Sequence, residues 1–236
     1  MAKGNYAKTY EEIYAHAKAL TARLEEDTDY QALLARARTL GITVSVTPEE
    51  MTRMAASGDL NAPSPGYLEF LCVQDQLASQ LPALGRFLMH GAAIAYGGAA
   101  YLFTAPSGTG KSTHIRLWRQ YLGSGVSVIN GDKPFLSLEE DGAIRVWGSP
   151  WAGKEGWQRP TSAPLRGVCL LERGADRICR LSPADALEPL FCQIYHRDDP
   201  ALEYRTLGFL DALLRTGADF PAEWVEIVNL HPLSFF

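Results

Sequence analysis

The chain has 236 residues, 47% of them hydrophobic, and a formal charge of −5. That is enough to bury one sizeable core, and it suits one domain with an appendage better than two domains. The acidic balance and the lack of a Lys/Arg-rich run argue against nucleic acid as the main partner. No stretch approaches the ~20 apolar residues of a membrane span, and none reads as a signal peptide. Four cysteines without C-x-x-C spacing argue against structural zinc and a disulfide framework, and fit a cytoplasmic chain. Cys72, Cys169 and Cys192 stand among apolar residues, which predicts buried thiols.

In chain order, residues 1–41 read as an N-terminal helical extension. Thr9 and Glu12 have capping-box spacing, and Ile13, Ala17, Leu20 and Leu24 share one face. A second helix carries Leu33, Leu34 and Leu40 and stops at Gly41. Residues 42–236 read as one further domain. Ile42-Thr43-Val44-Ser45-Val46 alternates as a strand would, and Thr47-Pro48-Glu49-Glu50 supplies a helix start. A Pro/Gly-rich loop over 61–66 precedes a helix over 67–80. Residues 86–95 read as a strand, Gly97-Gly98 as a turn and residues 99–104 as the returning strand. Further strands are expected over 126–130, 168–172 and 224–230. A hairpin over 135–146 turns at Asp141-Gly142, and helices are expected over 182–191 and 203–216. The sum is an α/β (α+β) domain, a mixed and largely antiparallel sheet with helices packed on it.

The chemistry concentrates after the strand over 99–104. Ala105-Pro106-Ser107-Gly108-Thr109-Gly110-Lys111-Ser112-Thr113 matches a phosphate-binding loop, G-x-x-x-x-G-K-[ST], except that Ala105 replaces the first glycine. Gly108 and Gly110 let successive N–H groups turn towards phosphate oxygens. Lys111 reaches the β- and γ-phosphates, Ser112 can ligate the bridging magnesium, and the helix that follows favours an anion at its start. Pro106 to Thr113 are therefore the expected ATP-binding residues.

Four separated blocks occur in a fixed order. They are Met89-His90-Gly91-Ala92-Ala93, the phosphate loop, Asn130-Gly131-Asp132-Lys133-Pro134, and Gly148-Ser149-Pro150-Trp151-Ala152-Gly153-Lys154-Glu155-Gly156. Together they resemble the catalytic domain of HPr kinase/phosphorylase, and more closely a group of small HPr-kinase-like proteins. The resemblance spans roughly residues 42–191. It implies the nucleotide-binding fold of phosphoenolpyruvate carboxykinases, ATP- and Mg²⁺-dependent phosphoryl transfer, and an acceptor hydroxyl such as a serine on a small protein or peptide. HPr kinases are hexameric, so a homo-oligomer is among the expectations.

On that resemblance His90 ends a strand facing the nucleotide, where its ring donates to phosphate or orients the catalytic acid; a plain strand-end histidine is the other reading. His114, inside the loop helix, reads as structural. Asp132 serves as magnesium ligand or as base for the acceptor hydroxyl. The family places two adjacent acids here, and Gly131 stands where the first is expected, so Gly131→Asp is expected to restore the pair. Lys154 presents to a phosphate from a loop rich in tryptophan and glycine, or the tryptophans simply anchor that loop. Arg159 and Arg166 are weaker candidates. The catalytic set is then Lys111, Asp132, His90 and Lys154, with Ser112 and Asp132 as metal ligands. Two alternatives stand beside it: an ATP-binding partner protein without turnover, favoured by Gly131, and a phosphoenolpyruvate carboxykinase-like enzyme.

Overall fold

The computed structural model describes residues 44–57, 63–174, 177–195, 199–218 and 225–229. The expected helices before residue 42, and residues 42 and 43 of the expected first strand, lie outside them.

Helix starts follow local chemistry. At α1 (Pro48–Ser57) the expected capping box forms: Glu50 N–H donates to Thr47 Oγ1 at 3.2 Å and Thr47 N–H donates to Glu50 Oε2 at 2.8 Å. At α2 (Pro65–Gln80) Ser64 accepts from Tyr67 N–H, and Pro65 occupies the first turn. Residues 44–46 carry no strand pairing, in contrast to the alternation of their side chains. Ser45 exchanges two backbone bonds with the Gln76 side-chain amide instead, 2.9 and 2.8 Å long. A helix side chain has taken the place of a neighbouring strand.

Among the described residues nine strands form one mixed sheet, six of whose pairings are antiparallel and two parallel. These are β1 (Arg86–Leu88), β2 (Ala92–Tyr96), β3 (Ala99–Thr104), β4 (Val126–Asn130), β5 (Phe135–Leu138), β6 (Ile144–Trp147), β7 (Ser162–Leu171), β8 (Arg177–Arg180) and β9 (Val225–Asn229). The order is β1-β5-β6-β7-β3-β2-β4. The first residues of β7 pair with β6; its last residues pair with β9, which also holds β8. β2 and β3 make the expected hairpin, and Gly97 and Gly98 take φ of 59° and 82° in its two-residue turn.

Residues 86–95 are not one strand. β1 joins β5 and β2 joins β3 and β4, and the chain bends between them at His90-Gly91. The bend is fixed by bonds outside the ladder: His90 N–H to Gln193 O at 2.7 Å and Gly91 N–H to Asp132 O at 2.8 Å. It also requires glycine, since a Cβ on Gly91 would meet Leu102 Cδ1 at 2.9 Å and Phe103 O at 3.1 Å. β7 begins six residues before its expected start, because Pro164 and Gly167 hide the strand signal.

Both sheet faces are covered. Along β2 and β3, Ala92, Ile94 and Phe103 pack with Ile115 of α3 (Lys111–Leu122). The alternate residues Ala93, Ala100 and Leu102 join the core that holds Leu190 of α4 (Pro183–Phe191) and Leu210 of α5 (Pro200–Ala218). A period-two strand thus feeds two apolar layers. Cys72 is buried as expected, but Cys169 and Cys179 are half-buried and Cys192 is exposed. Helix α4 turns Cys192 outward at its end, which its apolar neighbours do not reveal. Among the described residues no helix is long and apolar enough to cross a membrane.

Candidate active site

Three turns at the ends of strands meet at one cleft of about 600 Å³. The first is the phosphate loop between β3 and α3. Gly110 takes φ 128° at the helix N-cap, with no side-chain cap, and the first bond of the helix runs from His114 N–H to Gly110 O at 2.9 Å. Among the described residues the N–H groups of Lys111, Ser112 and Thr113 therefore meet no backbone acceptor. A helix start left open in this way, behind positive-φ glycines, offers its donors to an anion. Ser107, Gly108, Gly110, Lys111, Ser112 and Thr113 all border the cleft. Pro106 and Thr109 do not: Thr109 donates through N–H and Oγ1 to Pro106 O, which shapes the loop from behind.

Lys111 folds back on its own loop. Its Nζ donates to Ala105 O at 2.8 Å, and burial lowers its pKa against the opposing pull of Asp132. Arg173, which the sequence did not suggest, donates to Gly108 O and ties the loop tip to the end of β7.

The second turn is 130–134. Asn130, wholly buried, accepts from the N–H groups of Asp132 and Lys133 at 2.9 and 2.7 Å, and its Nδ2 donates to Ser149 O and Oγ. This asparagine turn aims Asp132 at the cleft and locks it to the third turn. Asp132 Oδ1 lies 3.6 Å from His90 Nε2. His90 Nδ1 faces Gln193 Oε1 at 2.9 Å, which assigns its proton to Nδ1 and leaves the Nε2 lone pair towards Asp132. Burial, reinforced by the Lys111 charge, lowers the His90 pKa, while the Gln193 bond and Asp132 oppose the shift. His90 and Asp132 thus meet across 3.6 Å with the imidazole half-buried between Gln193 and the cleft.

The third turn is the loop over 148–158. Trp151 is 4% exposed and packs between Phe70 and Phe135. Trp157 lies under Arg116 and Arg119 of α3, 5.8 and 5.4 Å from ring centroid to guanidinium. The tryptophans anchor the loop, and Lys154 stands exposed at the lip of the cleft between them. The anchoring expected of the tryptophans is what their packing shows. Arg159 and Arg166 do not border the cleft.

Gly131 has a steric explanation. A Cβ there would meet Ala152 O at 2.9 Å, Trp157 O at 3.3 Å and Trp157 Cβ at 3.4 Å. The loop over 148–158 crosses where a first acid would stand, so the expected restoration by Gly131→Asp is not available without displacing that loop.

Sequence reasoning missed the fourth wall. Tyr67, Phe70 and Leu71 of α2 border the cleft, as does Lys133, whose Nζ donates to Gln74 Oε1 at 3.0 Å. Burial lowers the Lys133 pKa, with Asp132 opposing. A short apolar helix gives no hint of which nonlocal turn it faces. Lys133, beside Asp132 at a strand end, carried a signal that went unused.

His114 is structural, as expected. It is buried, accepts from Trp118 Nε1 at 3.0 Å, and burial lowers its pKa to about 4. A histidine held neutral stabilises the fold above its unfolded pKa and loses that contribution as pH falls through the folded value. Stability should therefore decline between pH ~6.5 and about 4, by about 3 kcal/mol from this group. Denaturant titrations across that window should show the slope. It should shrink in His114→Gln, whose amide can still accept from Trp118; an unchanged slope would place its origin elsewhere.

No family model matches the chain, and no curated protein matches it.

Proposed function

We propose that the chain is an ATP- and Mg²⁺-dependent phosphotransferase of the HPr-kinase-like type, with the fold that this family shares with phosphoenolpyruvate carboxykinases. The observation that carries the reading is convergence: phosphate loop, His90 and Asp132 come from three separate turns and border one cleft. The acceptor is a hydroxyl on a small protein or peptide, as the resemblance suggests, and the chain acts in the cytoplasm.

The residues fit nucleotide and metal. The loop donors and Lys111 suit the β- and γ-phosphates, and Ser112 and Asp132 would hold magnesium. Among the described residues no group of three His, Cys, Asp or Glu side chains could hold a metal ion, so the remaining ligands would be phosphate oxygens and water. Magnesium bound with ATP neutralises phosphate charge and helps to align the γ-phosphoryl group.

The acceptor oxygen forms a bond to the γ-phosphorus while the bond to the β–γ bridging oxygen breaks, and ADP leaves. The acceptor proton passes to Asp132, or to the lone pair of His90 Nε2 beside it. Gln193 holds the imidazole in the tautomer that can receive it. Lys111 exchanges its contact with Ala105 O for phosphate oxygens, and Lys154 at the lip counters charge on the transferred group.

Lys111→Ala tests the loop. ATP–Mg²⁺ affinity by calorimetry should fall at least about tenfold with the fold intact, since a charge-assisted bond is worth about 1.5–3 kcal/mol. Unchanged affinity and unchanged turnover would remove the loop from the reading. A second reading, ATP binding without turnover, is favoured by the closed position at Gly131, which leaves one acid where the kinases use two. Labelled ATP and Mg²⁺ in an extract of the source cell separate the two: a labelled acceptor supports the enzyme, and bound ATP with no labelled species supports the partner protein.

A further inference from the structure

Lys133 and Trp151 border the cleft, Gln74 bonds to Lys133, and together the three carry more hydrogen-bond donors than acceptors. Lys133 Nζ has three donors and one acceptor among the described residues, Gln74 Oε1. Gln74 is 7% exposed, and its Nε2 is buried with no acceptor. Trp151 is 4% exposed, and its indole Nε1–H is likewise buried without an acceptor. Lys133 touches both residues: it donates from Nζ to Gln74 Oε1, and its backbone N–H donates to the backbone carbonyl of Trp151 at 3.1 Å. Buried donors are nearly always matched, and an unmade bond costs about 1–3 kcal/mol. Two such unmatched N–H groups therefore belong to residues that Lys133 bonds to.

We propose that Lys133, Gln74 and Trp151 form a second anion subsite that takes a carboxylate of the acceptor. The proposal rests on the reading of the cleft as a phosphotransferase site. A carboxylate fits better than a phosphate. One ammonium with two neutral N–H donors matches a monoanion, whereas the phosphate loop uses a lysine and a row of backbone amides. The walls suit the same ligand, because Tyr67, Phe70 and Leu71 line the same cleft and make it less polar. The subsite would select hydroxyl acceptors that carry an acid, and would hold the hydroxyl near Asp132, the residue before Lys133.

Nuclear magnetic resonance of protein labelled with ¹⁵N tests this, with malonate as the probe. The Trp151 indole signal, assigned by its loss in Trp151→Phe, should move downfield and saturate as malonate is added. In Lys133→Met the malonate Kd should weaken at least tenfold, while ATP should still shift the Gly110 amide, which shows that variant folded. Should Lys133→Met fail to fold, Gln74→Leu serves in its place with the same expected weakening. A Trp151 signal that malonate does not move, or moves equally in both variants, overturns the subsite. The Gly110 shift with ATP reports separately on the phosphate loop. ATP binding without a malonate response sinks the subsite alone; a malonate response without ATP binding keeps the subsite and sinks the kinase.

Discussion

Asp132→Asn should lower phosphoryl transfer by ~10²–10⁴-fold and leave ATP bound, the loss typical of removing a general base. The substitution isolates charge from shape. Asparagine keeps the volume, so it keeps the packing against Gly153, where a Cβ would lie 3.0 Å from that of Asp132. The turn also survives, because it is held through the backbone N–H of residue 132 and not through its carboxylate. What disappears is the acceptor for the hydroxyl proton and one magnesium oxygen. His90 Nε2 remains 3.6 Å from residue 132, so a residual rate with a pH dependence set by the imidazole is expected. Single-turnover measurements with saturating ATP check this. A rate within threefold of the parent would remove Asp132 from the chemistry.

Gly131→Asp should damage the protein instead of improving it. Its Cβ would press on the backbone oxygens of Ala152 and Trp157, neither of which is the free end of a flexible side chain. Overpacking of this kind costs roughly 1–3 kcal/mol. The carboxylate adds to that cost, because it would be buried next to Asp132 without a cation of its own. A combined loss of about 3 kcal/mol or more, roughly 6–12 °C in Tm for a chain of this size, is expected. Turnover should fall with it, as the loop bearing Lys154 moves. Gly131→Ala separates the causes: it should show the steric part alone. A Gly131→Asp protein that is as stable as the parent and faster would mean that the loop over 148–158 yields easily, and would revive the paired acids.

Legibility in the sequence followed locality. The Thr47–Glu50 box, the Gly97-Gly98 turn and the phosphate loop are set within a few residues, and each forms as expected. The β2–β3 and β5–β6 hairpins are short-range too. What escaped depends on distant partners. Nothing near His90 says that residues 86–88 will join β5 while residues 92–96 join β3; that is decided by bonds to Gln193 and Asp132. Nothing near Gly131 says that Ala152 and Trp157 will cross above it, so the glycine read as a lost acid when it is a crossing point. Tyr67 and Phe70 read only as part of a helix over 67–80, and the cleft they border is made by turns far along the chain, from the phosphate loop to the loop over 148–158. Arg173 reaches Gly108 across 65 positions with no pattern to announce it.

Lys111 in its resting position has a consequence for the whole molecule. The residue is 7% exposed, and its Nζ bonds go to carbonyls, which only partly replace water. Folding therefore bears the work of stripping that charge, and binding inherits a cation already dry and already in place. The empty protein is correspondingly less stable than its core alone would make it. Any anion that settles in the loop should relieve the tension and raise the melting temperature in proportion to the logarithm of its concentration. Stability and ligand occupancy are thus two readings of one balance, struck at a single side chain.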